Sequence, residues 1–258
     1  MVKDVFNVSK ELEKIKGEGM VLGSRNFNLD NVPPKSRFGN KTTTLVFKLL
    51  YGKKIDDTQT GLRGLTYDFA KECININGER FEYEINMLIK AVRDKIDIRE
   101  VEIETVYFDN NSETHFNPIK DSIKIYKVMF KEFFKFGLSG LSSAVLDLIL
   151  LTLFYKLIKN NLDEAIVILV PTLLARIISL LYNYTLNIKV VFKSNGKNTL
   201  IKYYILCVIQ ALISSLLVDN FFSLFNVESP TIIKVFVDII LFLIIFQVQQ
   251  RWVFRKTN

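Results

Sequence analysis

The stretch 56-DDTQTGLRGLTY-67 concentrates two adjacent carboxylates, a guanidinium, two glycines and three threonine hydroxyls in twelve residues. Gly, Asp and Thr are turn formers, so the segment reads as a polar loop suited to holding a ligand. Around it stand other residues of the same chemical kind. Arg25 closes the apolar run MVLGSR, and Lys35, Arg37 and Lys41 follow in a segment broken by Pro33, Pro34 and Gly39. His115, the only histidine, lies in THFNP.

The elements that must position these residues come from periodicity. MVKDVFNVSKELEKIKGEG has no apolar core and reads as a soluble helix stopped by Gly. MVLGSR is a short buried strand, and 42-TTTLVFKLLYG-52 a helix with a Thr cap and a Gly52 stop. In 79-ERFEYEINMLIKAVRDK-95, Phe81, Ile85, Leu88, Ile89 and Val92 recur at helical spacing. Glu82 and Glu84 point different ways on that helix, so at most one of them lines a cleft. The alternation in 100-EVEIETVYF-108 is that of a half-exposed strand. In 118-PIKDSIKIYKVMFKEFFKF-136, lysines at 120, 124, 127, 131 and 135 form one stripe. Ile119, Ile123, Tyr126, Phe130, Phe133 and Phe134 form another, as in a helix lying at a membrane interface.

Beyond residue 135 the chain changes character. Four apolar runs, 136–155, 165–184, 200–218 and 231–248, each approach the length that crosses a bilayer. Residues 1–130 hold 21 Lys/Arg and 20 Asp/Glu, whereas residues 131–258 hold 13 and 7, so the excess positive charge sits in the apolar half. That excess falls in alternate loops, which predicts a multi-pass protein of the cytoplasmic membrane with its N-terminal half and C-terminus in the cytoplasm. It is the pattern of juxtamembrane charge and not of a nucleic-acid face. Cys73 and Cys207 lie in different halves and offer neither a disulfide framework nor metal-ligand spacing.

The exits 187-NIKVVFK-193 and 249-QQRWVFR-255, and the entries 133-FFKF-136 and 200-LIKY-203, match in kind. Two parallel helix pairs produce such a pattern; so does the aromatic preference of membrane borders. Asp147, Arg176, Lys234 and Asp238 lie within the runs, where an ionisable group costs at least about 2.5 kcal/mol and must find a partner or a ligand. Lys234 and Asp238 are spaced to pair on one helix face, and Gly140 with Ala144 forms a small-residue step that predicts a helix contact.

FGLSGLSSAVLD, YNYTLNIKVVFK and RWVF, within residues 133–256, resemble the GtrA-like family of four-helix membrane proteins associated with moving or presenting polyprenyl-phosphate-linked sugars. Upstream, GSR, SRFGN, DDTQTGLRG, GERFEYE and ETVYFDNNSETHFNPIKDS occur in order. Together they resemble the C-terminal part of the polyprenol-phosphate glycosyltransferases of glycosyltransferase family 2, the dolichol-phosphate-mannose-synthase-like enzymes.

The resemblance implies an α/β, partial GT-A-like domain over 1–117, lacking its N-terminal half. An interfacial helix (118–135) and an all-α four-helix transmembrane bundle (136–258) follow. It implies a lipid-phosphate role for Arg25 and Arg37, whose guanidinium groups fork onto phosphate oxygens, with a surface ion pair as the plain alternative. It places Asp57, Gln59 and Arg63 on the sugar and acceptor side, with Asp57 and Gln59 as catalytic candidates and Arg63 as a substrate-binding one; Asp57 would orient a sugar hydroxyl or the metal-bound diphosphate. For His115, a structural role and a phosphate contact both stay open.

The family's donor half needs a leading strand, a nucleotide-binding carboxylate loop and a paired-aspartate motif for Mg2+ or Mn2+. Residues 1–19 contain Asp4 and a Lys/Glu-rich helix but no such pair, so the resemblance implies a chain that begins downstream of the metal motif, encodes no cofactor site and is inactive alone. Two origins stay open for such a chain, a truncated or frame-split gene product and, second to it, one half of an enzyme assembled from two polypeptides. The expected partners are the bilayer and polyprenyl phosphate, in the second case also a separate N-terminal glycosyltransferase half, with homo-oligomers compatible and nucleic acid not expected. The alternative is a non-enzymatic GtrA-like protein that translocates or presents lipid-linked sugars.

Overall fold

A computed structural model describes residues 2–104, 119–159, 166–225 and 230–255. The chain divides into two compact units, Met1–Phe130 and Lys131–Asn258.

The first unit is built on a three-stranded sheet. Strand β1 (Gly19–Arg25) lies between β2 (Arg63–Leu65), which is antiparallel to it, and β3 (Asp97–Ile103), which is parallel. β1 is buried from Gly19 to Ser24, as a strand covered on both faces must be, and only Arg25 emerges. Helix α1 (Val2–Leu12) packs on the sheet through Val8, which joins Ile15 and Val21 in a core flanked by Leu12, Leu62 and Val101. Helix α2 (Pro34–Tyr51) begins eight residues before the expected start at Thr42. Pro is well placed in a first helical turn, and the threonines expected as caps bond back along the helix. Thr42 donates to the Phe38 carbonyl and Thr43 to the Gly39 carbonyl, each at 2.9 Å. The Gly52 stop holds, since Gly52 takes a left-handed φ of 64° and its N–H returns to the Lys48 carbonyl.

Helix α3 (Tyr67–Cys73) is short, and α4 (Phe81–Asp94) buries Ile85, Leu88 and Ile89 as the periodicity requires. Helix α5 (Lys120–Ile158) is one continuous element of 39 residues, so the segment expected at the interface runs without a break into the first span. At 1.5 Å per residue it is about 58 Å long, nearly twice a hydrocarbon core. Its opening turns belong to the first unit, where Ile125 and Met129 are buried, while Ile119 and Ile123 of the expected apolar stripe are exposed.

In the second unit, α5 is followed by α6 (Leu169–Leu186), α7 (Thr199–Phe225) and α8 (Pro230–Val248). Four helices are long and apolar enough to cross a membrane: Lys120–Ile158, Leu169–Val191, Thr199–Phe221 and Thr231–Val253. Each contains or overlaps one expected run. The second begins four residues late, with Pro171 in the first turn, where its missing N–H costs no hydrogen bond.

Helices α6 and α8 both continue into a five-residue π-helical turn, Asn187–Val191 and Gln249–Val253, and these are the two exits whose sequences match. The match is spatial as well. Asn187 donates to the Gln249 side chain at 3.1 Å, and the rings of Phe192 and Phe254 stack at 5.2 Å and 16°. Phe136 lies 6.1 Å from Phe192 and 5.4 Å from Phe246, and Tyr203 lies 6.1 Å from Phe254 and 5.6 Å from Tyr184. Exchanging 136 with 203, 184 with 246 and 192 with 254 therefore returns the same aromatic cluster. The exits of α6 and α8, with the residues packed on them from α5 and α7, thus repeat one arrangement of contacts.

The small-residue contact is one position away from that expected. Gly140 and Ala144 are exposed, whereas Ser139 and Ser143 are buried against α6, with Ser143 donating to the Ser179 carbonyl at 2.7 Å.

Candidate functional site

The two parallel strands β1 and β3 end side by side, with Arg25 opposite Ile103. Open α/β sheets present ligand crevices at such carboxyl ends. A cavity of about 660 Å³ lies there, and Arg25, Asn26, Asn40, Lys41, Lys48 and Glu100 are among its walls.

Arg25 and Asp57, 32 residues apart, meet in a bidentate pair. The Arg25 Nε lies 2.6 Å from Oδ2 and Nη2 lies 3.0 Å from Oδ1. Asp57 is fully buried and also accepts from the backbone N–H groups of Arg25 and Gln59, at 3.3 and 3.1 Å. Its acceptor sites are thus filled by one guanidinium and two amides, and what Asp57 does in this state is fix the Arg25 fork. The outer side of that fork lies 4.9 Å from the Phe27 ring centre. Arg25 is thus ion-paired, as the plain alternative has it, and it also borders the cavity.

The loop after α2 is clamped from three sides. Glu100 on β3 accepts from the N–H groups of Asp56 and Asp57 at 2.8 and 3.4 Å, and Asn40 donates to the Asp56 carbonyl at 2.7 Å. Thr60 donates its hydroxyl to the Gly23 carbonyl. Desolvation raises the Glu100 carboxyl above its ordinary range, opposed by the amides it accepts from. Asp56 pairs with Lys54 at 2.5 Å on the exposed side, in keeping with its reading as a solvated loop residue.

Arg63 stands inside the unit, with 7% of its side chain exposed. It donates to the carbonyls of Thr60, Glu84 and Thr58 and lies 3.7 Å from the Glu84 carboxylate, so it ties the loop to α4. Burial lowers the Arg63 guanidinium and raises the Glu84 carboxyl. Glu82 turns the other way and meets Lys124 at 3.6 Å, as alternate helix positions require. Arg37 donates to the Leu29 carbonyl at 2.7 Å, and its buried Nε has no hydrogen-bond partner among the described residues. It is not part of the wall on which Arg25 stands. Gln59 is half-buried beside Asp57, and His115 lies outside the described residues.

Among the described residues no three His, Cys, Asp or Glu side chains are grouped to hold a metal ion. The two loop carboxylates are committed to Arg25 and Lys54. So paired, they do not fit a divalent cation. Asn40 and Glu100, which shape the site, were not singled out by sequence. The one available signal was the alternation that puts Glu100 and Glu102 on the same face of β3.

The membrane unit has polar sites of its own. Asp147 pairs with Arg176 at 3.3 Å and accepts from Ser179, and Asp238 pairs with Lys234 at 2.9 Å and accepts from Ser214. Between the hairpins, Ser139, Asn183, Asn187, Tyr203 and Gln249 form one connected buried network.

Comparison with known proteins gives these features a context. The uncharacterized protein MJ1222 of Methanocaldococcus jannaschii is 29% identical over 136 residues, covering 51% of this chain and 56% of that protein. The UDP-N-acetylglucosamine--dolichyl-phosphate N-acetylglucosaminyltransferase of Methanococcus voltae is 31% identical over 115 residues, covering 42% of this chain and 41% of that protein. The chain thus spans about half, or less, of the length of these relatives. Residues 127–254 match the family described as the GtrA/DPMS transmembrane domain. The chain is a multi-pass membrane protein that carries a GtrA/DPMS transmembrane domain.

Proposed function

We propose that this chain works on polyprenyl-phosphate-linked sugars at a membrane, as the acceptor-side part of a family 2 glycosyltransferase. Together with a nucleotide- and metal-binding half, this part passes a sugar from a nucleotide donor to polyprenyl phosphate, serving cell-envelope polysaccharide or lipid-linked sugar synthesis. The first unit and the C-terminus face the cytoplasm, following the alternation of Lys and Arg between loops. The observation that carries the reading is the Arg25 fork, pre-set by buried Asp57 at the rim of a cavity with lysines in its walls. A guanidinium held in one orientation loses little entropy when it takes a phosphate. Arg37, with a buried donor that meets no acceptor among the described residues, is a second phosphate candidate. The transmembrane-domain match and the similarity to a dolichyl-phosphate N-acetylglucosaminyltransferase support the same substrate class.

A second reading, a GtrA-like protein that translocates or presents the lipid-linked sugar without forming it, is favoured by one observation: Asp57 has no acceptor site left for a reacting group. Retention of polyprenyl phosphate by the full chain in micelles tests the shared premise. The pair Arg25→Ala with Arg37→Ala is expected to weaken retention about tenfold or more, as loss of charge-assisted bonds does; unchanged retention removes both residues from the site. Adding the donor half, nucleotide sugar and polyprenyl phosphate separates the readings, since lipid-linked sugar forms only under the first.

A further inference from the structure

Helix α2 has two apolar faces. One packs inward through Phe47, Leu50 and Tyr51. On the opposite side Phe38, Leu45 and Leu49 are 74%, 56% and 46% exposed. At 100° per residue these three lie within about 40° of one another, a stripe running three turns. Lys35 lies about 60° to one side of it and Lys41 and Lys48 about 60–80° to the other. The helix carries Lys35, Arg37, Lys41 and Lys48 and no acidic residue. Other exposed apolar residues lack this setting: Val2, Val5 and Phe6 share α1 with Asp4 and Glu11, and Tyr67 stands beside Asp68.

From this we infer that the outer face of α2 is a membrane-docking surface that seats on an anionic bilayer. An apolar stripe flanked by lysines is the pattern of a helix lying in the headgroup layer, with its side chains in the acyl boundary and its cations on lipid phosphates. Charge chooses the occupant. A second copy of this helix would bring four cations against four, whereas an anionic leaflet complements them, and the four spans keep a bilayer tethered to this unit. The neighbouring turns of α5 extend the surface. They pack on α2 through the Tyr51 hydroxyl, which donates to the Met129 carbonyl at 2.8 Å, and they expose Ile119 and Ile123. Lys41 and Lys48 also stand in the cavity wall, so docking brings the cavity rim to headgroup level whether or not polyprenyl phosphate is the ligand there.

Tryptophan depth probes test the inference in the full chain. The single native Trp252 is changed to Phe, and Phe38→Trp, Leu49→Trp or the control Ile74→Trp is introduced; Ile74 is 79% exposed at the end of α3. In nanodiscs of phosphatidylcholine with phosphatidylglycerol and doxyl-labelled lipid, emission from positions 38 and 49 is expected to shift to the blue. It is also expected to be quenched about twofold or more beyond that from position 74, and Lys41→Glu with Lys48→Glu should abolish the difference. Quenching at 38 and 49 no greater than at 74 overturns the inference. A blue shift without lipid quenching that grows with the number of protomers per disc also overturns it, in favour of a second copy. The double Glu variant leaves the apolar stripe and the inner face of α2 unchanged, and Trp252 emission in an otherwise native chain checks that the bundle is intact.

Discussion

Two Arg–Asp pairs in this molecule do different work. In the first unit Asp57 is fully buried and grips Arg25 twice, and the pair stands at a cavity rim. In the membrane unit Asp147 holds Arg176 through one contact of 3.3 Å, and 59% of the Arg176 side chain is exposed. The first pair spends its acid to aim a cation. The second neutralises two charges on the successive spans α5 and α6, where either alone would be costly. Opposite charges at hydrogen-bonding distance are therefore not one device; burial of the acid and the number of its other donors decide which it is.

Removing the acids sharpens that contrast. Asp57→Ala leaves the Arg25 guanidinium facing the cavity and the main-chain amides of Arg25 and Gln59 without that acceptor. It is expected to cost about 2–3 kcal/mol, discounted because Arg25 is partly solvated, and to raise hydrogen exchange across residues 56–63. A variant as protected as the native chain would make the pair incidental. Asn187→Leu strips the network between the hairpins and leaves Ser139, Asn183 and Gln249 short of partners. The expected loss is about 1–2 kcal/mol, read as a lower melting temperature in detergent. Asp147→Ala with Arg176→Ala removes both charges at once and, by contrast, should change melting by only about 0.6 kcal/mol, the scale of a single polar contact between membrane helices. A larger loss there than at Asn187 would reverse the ranking.

The sequence announced some of this and hid the rest for physical reasons. The four spans were legible because a bilayer imposes length and apolarity on every crossing helix. The repeat was legible at NIKVVF and QQRWVF because a symmetric contact places like residues on both sides. Arg25 and Asp57 could be named from motifs, but their mutual grip could not, since it joins positions 32 apart. Asn40 and Glu100 are invisible for the same reason: each reaches Asp56 across 16 and 44 residues to satisfy a main-chain group that any side chain could cover. The extra turns of α2 were hidden by Pro33, Pro34 and Gly39, which read as loop until the Thr hydroxyls are seen bonding backwards.

The smallest expected effect is a pH dependence. Desolvation puts the Glu100 and Glu84 carboxyls above the ordinary 4.5, so the folded unit holds protons that the unfolded chain has released. Their contribution is full below that value and is lost as pH rises through the folded-state value. Denaturant unfolding of the native chain followed upward from about pH 4.5 should thus show a decline that Glu100→Gln reduces. A rise over that interval would contradict the assignment.

The central claim concerns where an anionic lipid headgroup meets this chain. Phosphorus NMR of polyprenyl phosphate titrated with the full chain reads that contact directly, and Arg25→Lys keeps the charge while removing the fork. The account predicts a saturable shift of the phosphate resonance with the native chain and a binding curve weakened about tenfold by Arg25→Lys. Superimposable curves for the two proteins would contradict it.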